Sequence, residues 1–285
     1  MSAPPKRRAR VWLIGLLLLV LAVVGKGLWN ACAQPTVRTV ALGVADWPAD
    51  TPPLRVLLIS DTHVAGPDMP PERLRAILRR LNRLNPDLIL LAGDFHSGKN
   101  VATRHYSAAE LTAPFAEAKA RLGTVAVLGN HDYWFQPEPI AKGLTAAGVT
   151  VLRNAAVRRG PLVIGGVDDE VTRHDSLKRA YAAMDGLGSG PRILVTHSPD
   201  IVPDLPAPVA AVFAGHTHCG QIALPLIGAL SYASRYGDRF ACGAMTDHGQ
   251  RLFVGAGLGT SIVPLRYGVP PDVWLVTLGP AKASE

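Results

Sequence analysis

The 285-residue chain is 48% hydrophobic and 18% charged, a composition that supports a buried core and excludes a disordered polar chain. Its formal charge of +7 suggests a nucleic-acid partner until it is located: Lys6, Arg7, Arg8, Arg10 and Lys26 lie in a leading segment that holds no acid. The rest carries only about +2, too little for a phosphate-backbone footprint, so nucleic acid is not an expected partner.

Chain order begins with that leader. Val11 to Gly25 holds no polar side chain, and the apolar run resumes at Gly27-Leu28-Trp29. With Lys26 snorkelling, this meets the roughly 17–25 helical residues that span a bilayer core. Residues 1–35 are therefore expected to be a basic cluster plus one single-pass anchor in the cell membrane, and residues 36–285 one catalytic domain. The positive-inside rule puts that domain on the extracytoplasmic side. The alternative is a cleaved signal ending at Ala31-Cys32-Ala33 and a secreted or periplasmic product. Cys32, Cys219 and Cys242 form neither a disulfide framework nor a zinc spacing and are read as free buried thiols.

Beyond the leader, Val37–Leu42 reads as a short strand. Arg55–Ser60 is a compact apolar run of the kind a strand buried on both faces shows. Leu74, Ile77, Leu78, Leu81 and Leu84 fall at helical spacing, and Asn85-Pro86 ends that helix. Asp87–Ala92 and Thr124–Leu128 are further strands, with helices expected over Ala108–Leu122 and Pro139–Ala147. Short β-type runs follow at Val149–Leu152, Leu162–Val167, Ile193–Thr196, Val209–Ala214, Leu252–Gly255 and Val273–Leu278. Alternating β and α elements followed mostly by strands predict an α/β (α+β) fold of two face-to-face sheets with helices outside.

Metal-seeking residues stand immediately after these strands. They are Asp61-Thr62-His63, Gly93-Asp94, Gly129-Asn130-His131-Asp132, Thr196-His197-Ser198 and Gly215-His216-Thr217-His218. Strand ends that place Asp, His and Asn along one sheet edge build an active site. Gly93, Gly129 and Gly215 are expected to let the backbone turn sharply so that the next side chain faces inward. His105, His174 and His248 sit in polar surroundings and read as exposed. Asp168-Asp169-Glu170 reads as a solvated loop.

The ordered set from Asp61-x-His63 to Gly215-His216-x-His218 resembles the calcineurin-like metallophosphoesterases. Gly-His-Thr-His-x-Gly-Gln, ending at Gln221 and preceded by a membrane segment, resembles their bacterial membrane-associated branch. The resemblance covers Leu54 to Leu278 and implies a four-layer metallophosphoesterase β-sandwich flanked by helices. It implies that Asp61, His63, Asp94 and His218 hold one divalent metal and Asp94, Asn130, His197 and His216 a second, with Asp94 as the bridge. Mixed Asp, Asn and His donors suit Mn, Fe, Zn or Co. His131 would protonate the leaving oxygen, and Asp132 would orient its ring. His96, after Gly93-Asp94-Phe95, has no corresponding family role.

The expected activity is hydrolysis of a phosphoester bond near the membrane, with no protein partner implied. A lipid-linked phosphodiester or pyrophosphate such as UDP-diacylglucosamine of lipid A synthesis is the specific case that the resemblance suggests. A general phosphodiesterase or phosphomonoesterase for small soluble substrates and a non-catalytic metal-binding scaffold are the alternatives.

Overall fold

In the computed structural model, which describes residues 5–281, the apolar strands alternate their side chains between two different cores. Of the leading basic cluster, the side chains of Lys6, Arg7 and Arg8 lie outside the described residues. Helix α1 (Pro5–Ala31) precedes β1 (Thr36–Val44), β2 (Leu54–Ile59), α2 (Pro71–Asn82) and β3 (Leu88–Ala92). Then come α3 (Ala108–Thr112), β4 (Thr124–Val127), α4 (Asn130–Phe135), α5 (Pro137–Ala146) and β5 (Val149–Val151). The second half holds β6 (Ala155–Arg159), β7 (Leu162–Gly166), α6 (Leu177–Gly186), β8 (Arg192–Val195) and β9 (Ala211–Ala214). The small strands β10 (Ala223–Leu224) and β11 (Gly228–Ala229) form a hairpin, and β12 (Gly243–Asp247), β13 (Gln250–Val254) and β14 (Asp272–Pro280) follow.

Two six-stranded sheets result, in the orders β1-β14-β2-β3-β4-β5 and β12-β13-β9-β8-β7-β6. Along β2, Leu54, Val56 and Leu58 point to the interface between the sheets, while Leu57 and Ile59 point to the outer helices. The period of two explains why β2, β3 and β4 are apolar almost throughout: one residue set meets Ile164, Ile193, Val195 and Phe213 across the sandwich. The other set packs on Leu74, Ile77, Leu78 and Leu81 of α2, each worth about 1.5–3 kcal/mol of burial. On the far side α6 covers the second sheet through Ala180, Tyr181 and Met184. The layers are thus helix, sheet, sheet and helix.

Three expectations change. The helix expected over Ala108–Leu122 is only α3 plus a 3-10 turn at Ala113–Glu117, because Pro114 cannot continue the α-helical bonding. Strands β6 and β12 and helix α6 were not anticipated: β6, Ala-Ala-Val-Arg-Arg, is a half-exposed edge, and α6 has only three buried residues. The cysteines also differ, since Cys219 and Cys242 are joined in a disulfide and Cys32 is exposed and free. Sequence spacing could not reveal a bridge whose halves lie 23 residues apart and meet only through the fold. By restricting the unfolded chain, a loop of that length contributes about 3 kcal/mol. Replacing both cysteines with Ser should lower the melting temperature by about 5–10 °C in calorimetry; an unchanged melting curve would show the bridge to be energetically idle.

Candidate metal centre

The four central parallel strands β2, β3, β8 and β9, together with β4, end along one edge of the sandwich, and each delivers its polar residues there. The backbone at that edge is unusual. Asp61, His63, Asp94, His216 and His218 all adopt positive φ, between 40° and 69°. Non-glycine residues are costly in that region, so strain is concentrated at five of the seven residues expected to bind metal. Gly93 shares this conformation at φ +81°, whereas Gly129 and Gly215 serve a different need from the one expected. A Cβ on Gly129 would lie 2.3 Å from Asp94 Oδ1, and one on Gly215 would lie 2.3 Å from Asp61 Oδ2. They are glycines because the carboxylates occupy that space.

Three donor groups form, two of them from the residues expected to bind metal and a third in which the His131 ring joins His63 and Asp94. In the first, Asp61, His63 and His218 converge, with His63 Nε2 and His218 Nε2 3.0 Å apart and Asp61 Oδ1 3.6 Å from His218 Nε2. In the second, Asp94, His197 and His216 converge, and Asn130 Oδ1 lies 3.0 Å from His197 Nε2. Asp94 joins the two: its Oδ2 is 3.4 Å from His63 Nε2 and 3.3 Å from His197 Nε2.

Hydrogen bonds behind the rings aim them. His63 Nδ1 donates to the His96 carbonyl at 2.9 Å, and His197 Nδ1 to the Ala92 carbonyl at 2.8 Å, so each presents Nε2 to the centre. The Asp61 carboxylate accepts from His216 N at 3.0 Å, and Asp94 Oδ1 from His131 N at 2.9 Å.

The electrostatics call for a cation. Burial, with the His63 ring beside it, holds His218 well below the ordinary histidine range, and burial does the same for His63 and pushes His216 down to about 3. Three neutral rings therefore aim lone pairs inward. Burial, reinforced by the Asp94 charge, pushes Asp61 up to about 7. For His197 burial disfavours charge, but the Asp94 and Asp61 carboxylates outweigh it and hold the ring up to about 10. His218 Nδ1 is also buried without a hydrogen-bond partner among the described residues. Converging unprotonated nitrogens around paired carboxylates are the donor chemistry of a metal site.

His131 stands at the rim, its ring 4.8 Å from that of His63 and 4.9 Å from that of Trp134. Burial lowers its pKa. Asp132 does something other than what its position suggested. Its carboxylate accepts from the backbone N–H of Asp94, Phe95, His96 and Gly129 at 2.9–3.0 Å and has no hydrogen bond to the His131 ring. It is thus a positioning residue that clamps the turn carrying Asp94 onto the start of α4. His96 stacks on Phe135 at 3.9 Å, and its carbonyl orients His63. His105, His174 and His248 are exposed as expected. Asp168 and Asp169 are buried, not solvated: Asp168 binds Tyr133 Oη at 2.6 Å and Arg153 Nε at 3.1 Å, and Asp169 accepts from Thr172.

The segment 257–266 contributes more than its sequence announced. Gly259 N donates to the Asp61 carbonyl at 2.8 Å, and Ser261 Oγ lies 3.4 Å from His131 Nε2. Gln221 braces this segment, its amide donating to the Ser261, Val263 and Leu265 carbonyls at 3.0–3.2 Å while its Oε1 accepts from Ser261 N. Arg266, fully buried, donates to the carbonyls of Ala256, Gly257 and Gly259. The run Gly255-x-Gly257-x-Gly259 after a strand was the available signal.

Comparison with known proteins gives a consistent result. The profile described as calcineurin-like phosphoesterase matches residues 54–220, more than half of the chain. An uncharacterized metallophosphoesterase of Aquifex aeolicus (strain VF5) is 31% identical, over 79% of this chain and 85% of its own. The Bacillus subtilis (strain 168) protein YkuE, also an uncharacterized metallophosphoesterase, is 28% identical over 79% of this chain and 78% of its own. A Danio rerio "transmembrane protein with metallophosphoesterase domain" is 29% identical over 92% of this chain, which spans 62% of that relative's length.

Proposed function

Because the chain belongs to the calcineurin-like phosphoesterase family, we propose that it is a metal-dependent hydrolase of phosphoester bonds using two divalent cations, working at a membrane surface on a lipid-linked substrate. The observation that carries the two-metal reading is Asp94, whose Oδ2 lies between the imidazole nitrogens of both donor groups. Asp61, His63, Asp94 and His218 would hold one cation, and Asp94, Asn130, His197 and His216 the other. When bound, such a pair neutralises phosphate charge and makes a water acidic enough to serve as nucleophile.

The protein's own residues do the rest. His131, half-buried at the mouth of the cluster, would give a proton to the oxygen that leaves phosphorus as water adds from the opposite side. Ser261 limits the ring's swing, and Trp134 packs against its other edge. Asp132 keeps the Asp94 turn fixed, so the bridging carboxylate needs no rearrangement. The reading is tested with the full chain in nanodiscs and added Mn, against bis-p-nitrophenyl phosphate, p-nitrophenyl phosphate and a nucleotide-linked lipid. Hydrolysis that chelator abolishes and Mn restores is expected. Metal-loaded protein inert toward all three would contradict it.

Helix α1 carries the membrane part of the proposal. Ala9–Ala31 is long and apolar enough to cross a bilayer. Its last turns are docked on the domain: Gly27 O accepts from Arg266 N at 3.1 Å, Asn30 Nδ2 donates to Arg266 O at 3.0 Å, and Tyr267 Oη donates to Val23 O. A retained anchor set directly on segment 257–266 suits this docking better than a cleaved signal. The Cys219–Cys242 disulfide supports the extracytoplasmic side, where such bonds persist. That side also weighs against UDP-diacylglucosamine, a cytoplasmic substrate, and for a lipid phosphoester met outside. Anchored protein should remain in the membrane pellet through a carbonate wash and keep its leader; soluble protein starting near Gln34 would defeat the anchor.

A further inference from the structure

The cavity over the metal centre has two unlike halves. On one side lies a space of about 480 Å³ bounded by Trp134, Ile222, Leu230, Ile262 and Val263, with His131 and His218 at its floor. Trp134, Leu230 and Ile262 are each more than 60% exposed, unusual for large apolar residues gathered around a charged centre. On the other side lies a polar basin of about 590 Å³ lined by Glu170, Arg173, Ser198, Asp200 and Arg235. Arg235 pairs with Glu170 at 2.8 Å, whereas Arg173 has no ion pair among the described residues. The two spaces meet at His216, Ser231 and Ala233, beside the second donor group.

The apolar half is bounded by the segment that holds the end of α1. Ile262 and Val263 belong to the segment whose Arg266 and Tyr267 hold the end of α1. Ile222 roots the β10–β11 hairpin on Tyr267 and Gly268, and the hairpin tip exposes Leu226 and Ile227. The slot is therefore tied through segment 257–267 to the docked end of α1, while the basin is lined by no residue of that segment or of the hairpin.

On the premise that the site hydrolyses phosphoesters, we infer that its substrate is an amphiphile bound in one orientation. The alkyl chain lies in the Trp134–Ile222–Leu230–Ile262 slot, the phosphorus over the cluster, and the polar head in the Arg173–Arg235 basin. Specificity is then set by chain length, because each methylene entering the slot leaves water.

The test uses the full chain in nanodiscs with Mn and a series of alkyl p-nitrophenyl phosphates from methyl to hexyl, short enough to stay in solution. The value of kcat/KM should rise about threefold per methylene over the first few carbons, mainly through KM. Methyl- to hexylphosphonate, titrated calorimetrically into the same preparation, should tighten in parallel, a readout independent of turnover. In Ile262→Asp and Leu230→Asp the hexyl-to-methyl ratio should fall towards one. Equal kcat/KM and Kd across the series in the unsubstituted protein would overturn the amphiphile assignment while leaving the hydrolase intact. Inactivity toward every ester would count against the hydrolase itself, and phosphonate affinity independent of chain length would still overturn the slot. If the variants do not fold, the two series on the unsubstituted protein decide.

Discussion

Asp94→Asn should lower kcat/KM on the order of 10³-fold and remove at least one metal per chain, a loss typical of deleting one strong electrostatic element from a transition-state site. The expectation follows from position. Asp94 is the residue common to both donor groups, its Oδ2 3.4 Å from His63 and 3.3 Å from His197, and it is 1% exposed. The substitution preserves shape and the acceptor for His131 N but removes the negative charge that would offset two cations held close together. Burial alone would favour the neutral acid, yet the surrounding histidines hold Asp94 well below the ordinary carboxylate range, so the charge is present at every working pH. Elemental analysis of the purified variant beside its turnover is the check. Full metal content with undiminished rate would remove Asp94 from the bridging role.

His131→Ala should keep both metals and yet separate substrates by their leaving groups. His131 touches the cluster through its backbone N–H on Asp94 Oδ1, which any residue can supply, while its ring stands between His63 and Trp134. A proton donor is worth about 10²–10⁴-fold where the departing oxygen is basic and little where it is a nitrophenolate. Alkyl esters should therefore slow by at least about 10²-fold and nitrophenyl esters by much less. Equal slowing of both, or loss of a metal, would recast His131 as a ligand or as a purely structural residue.

The two-sheet core was legible because β2, β3 and β4 are buried on both faces and so carry unbroken apolar runs. The polar residues after those runs were legible for the same reason: a strand end is where a sheet can present Asp, His and Asn together. The structure brings all seven to one edge, with His131 beside them. What escaped is what depends on tertiary meeting. Asp132 lies beside His131 in sequence, but the helical turn of α4 sends its carboxylate back to four N–H groups. Arg266 belongs to no motif, and only the enclosing carbonyls of Ala256, Gly257 and Gly259 make it a buried brace. Helix α6 escaped because its apolar face is too narrow to show through the surrounding polar residues.

The most direct test of the account is a metal titration. Full-length protein in nanodiscs is stripped with chelator, and Mn is added in steps while bound metal and hydrolysis of bis-p-nitrophenyl phosphate are followed in the same samples. The account predicts no turnover without metal, saturation at two ions per chain, and activity that rises with the second. Saturation at a single ion with full activity, or turnover that persists in the stripped protein, would contradict a two-metal centre built on Asp94.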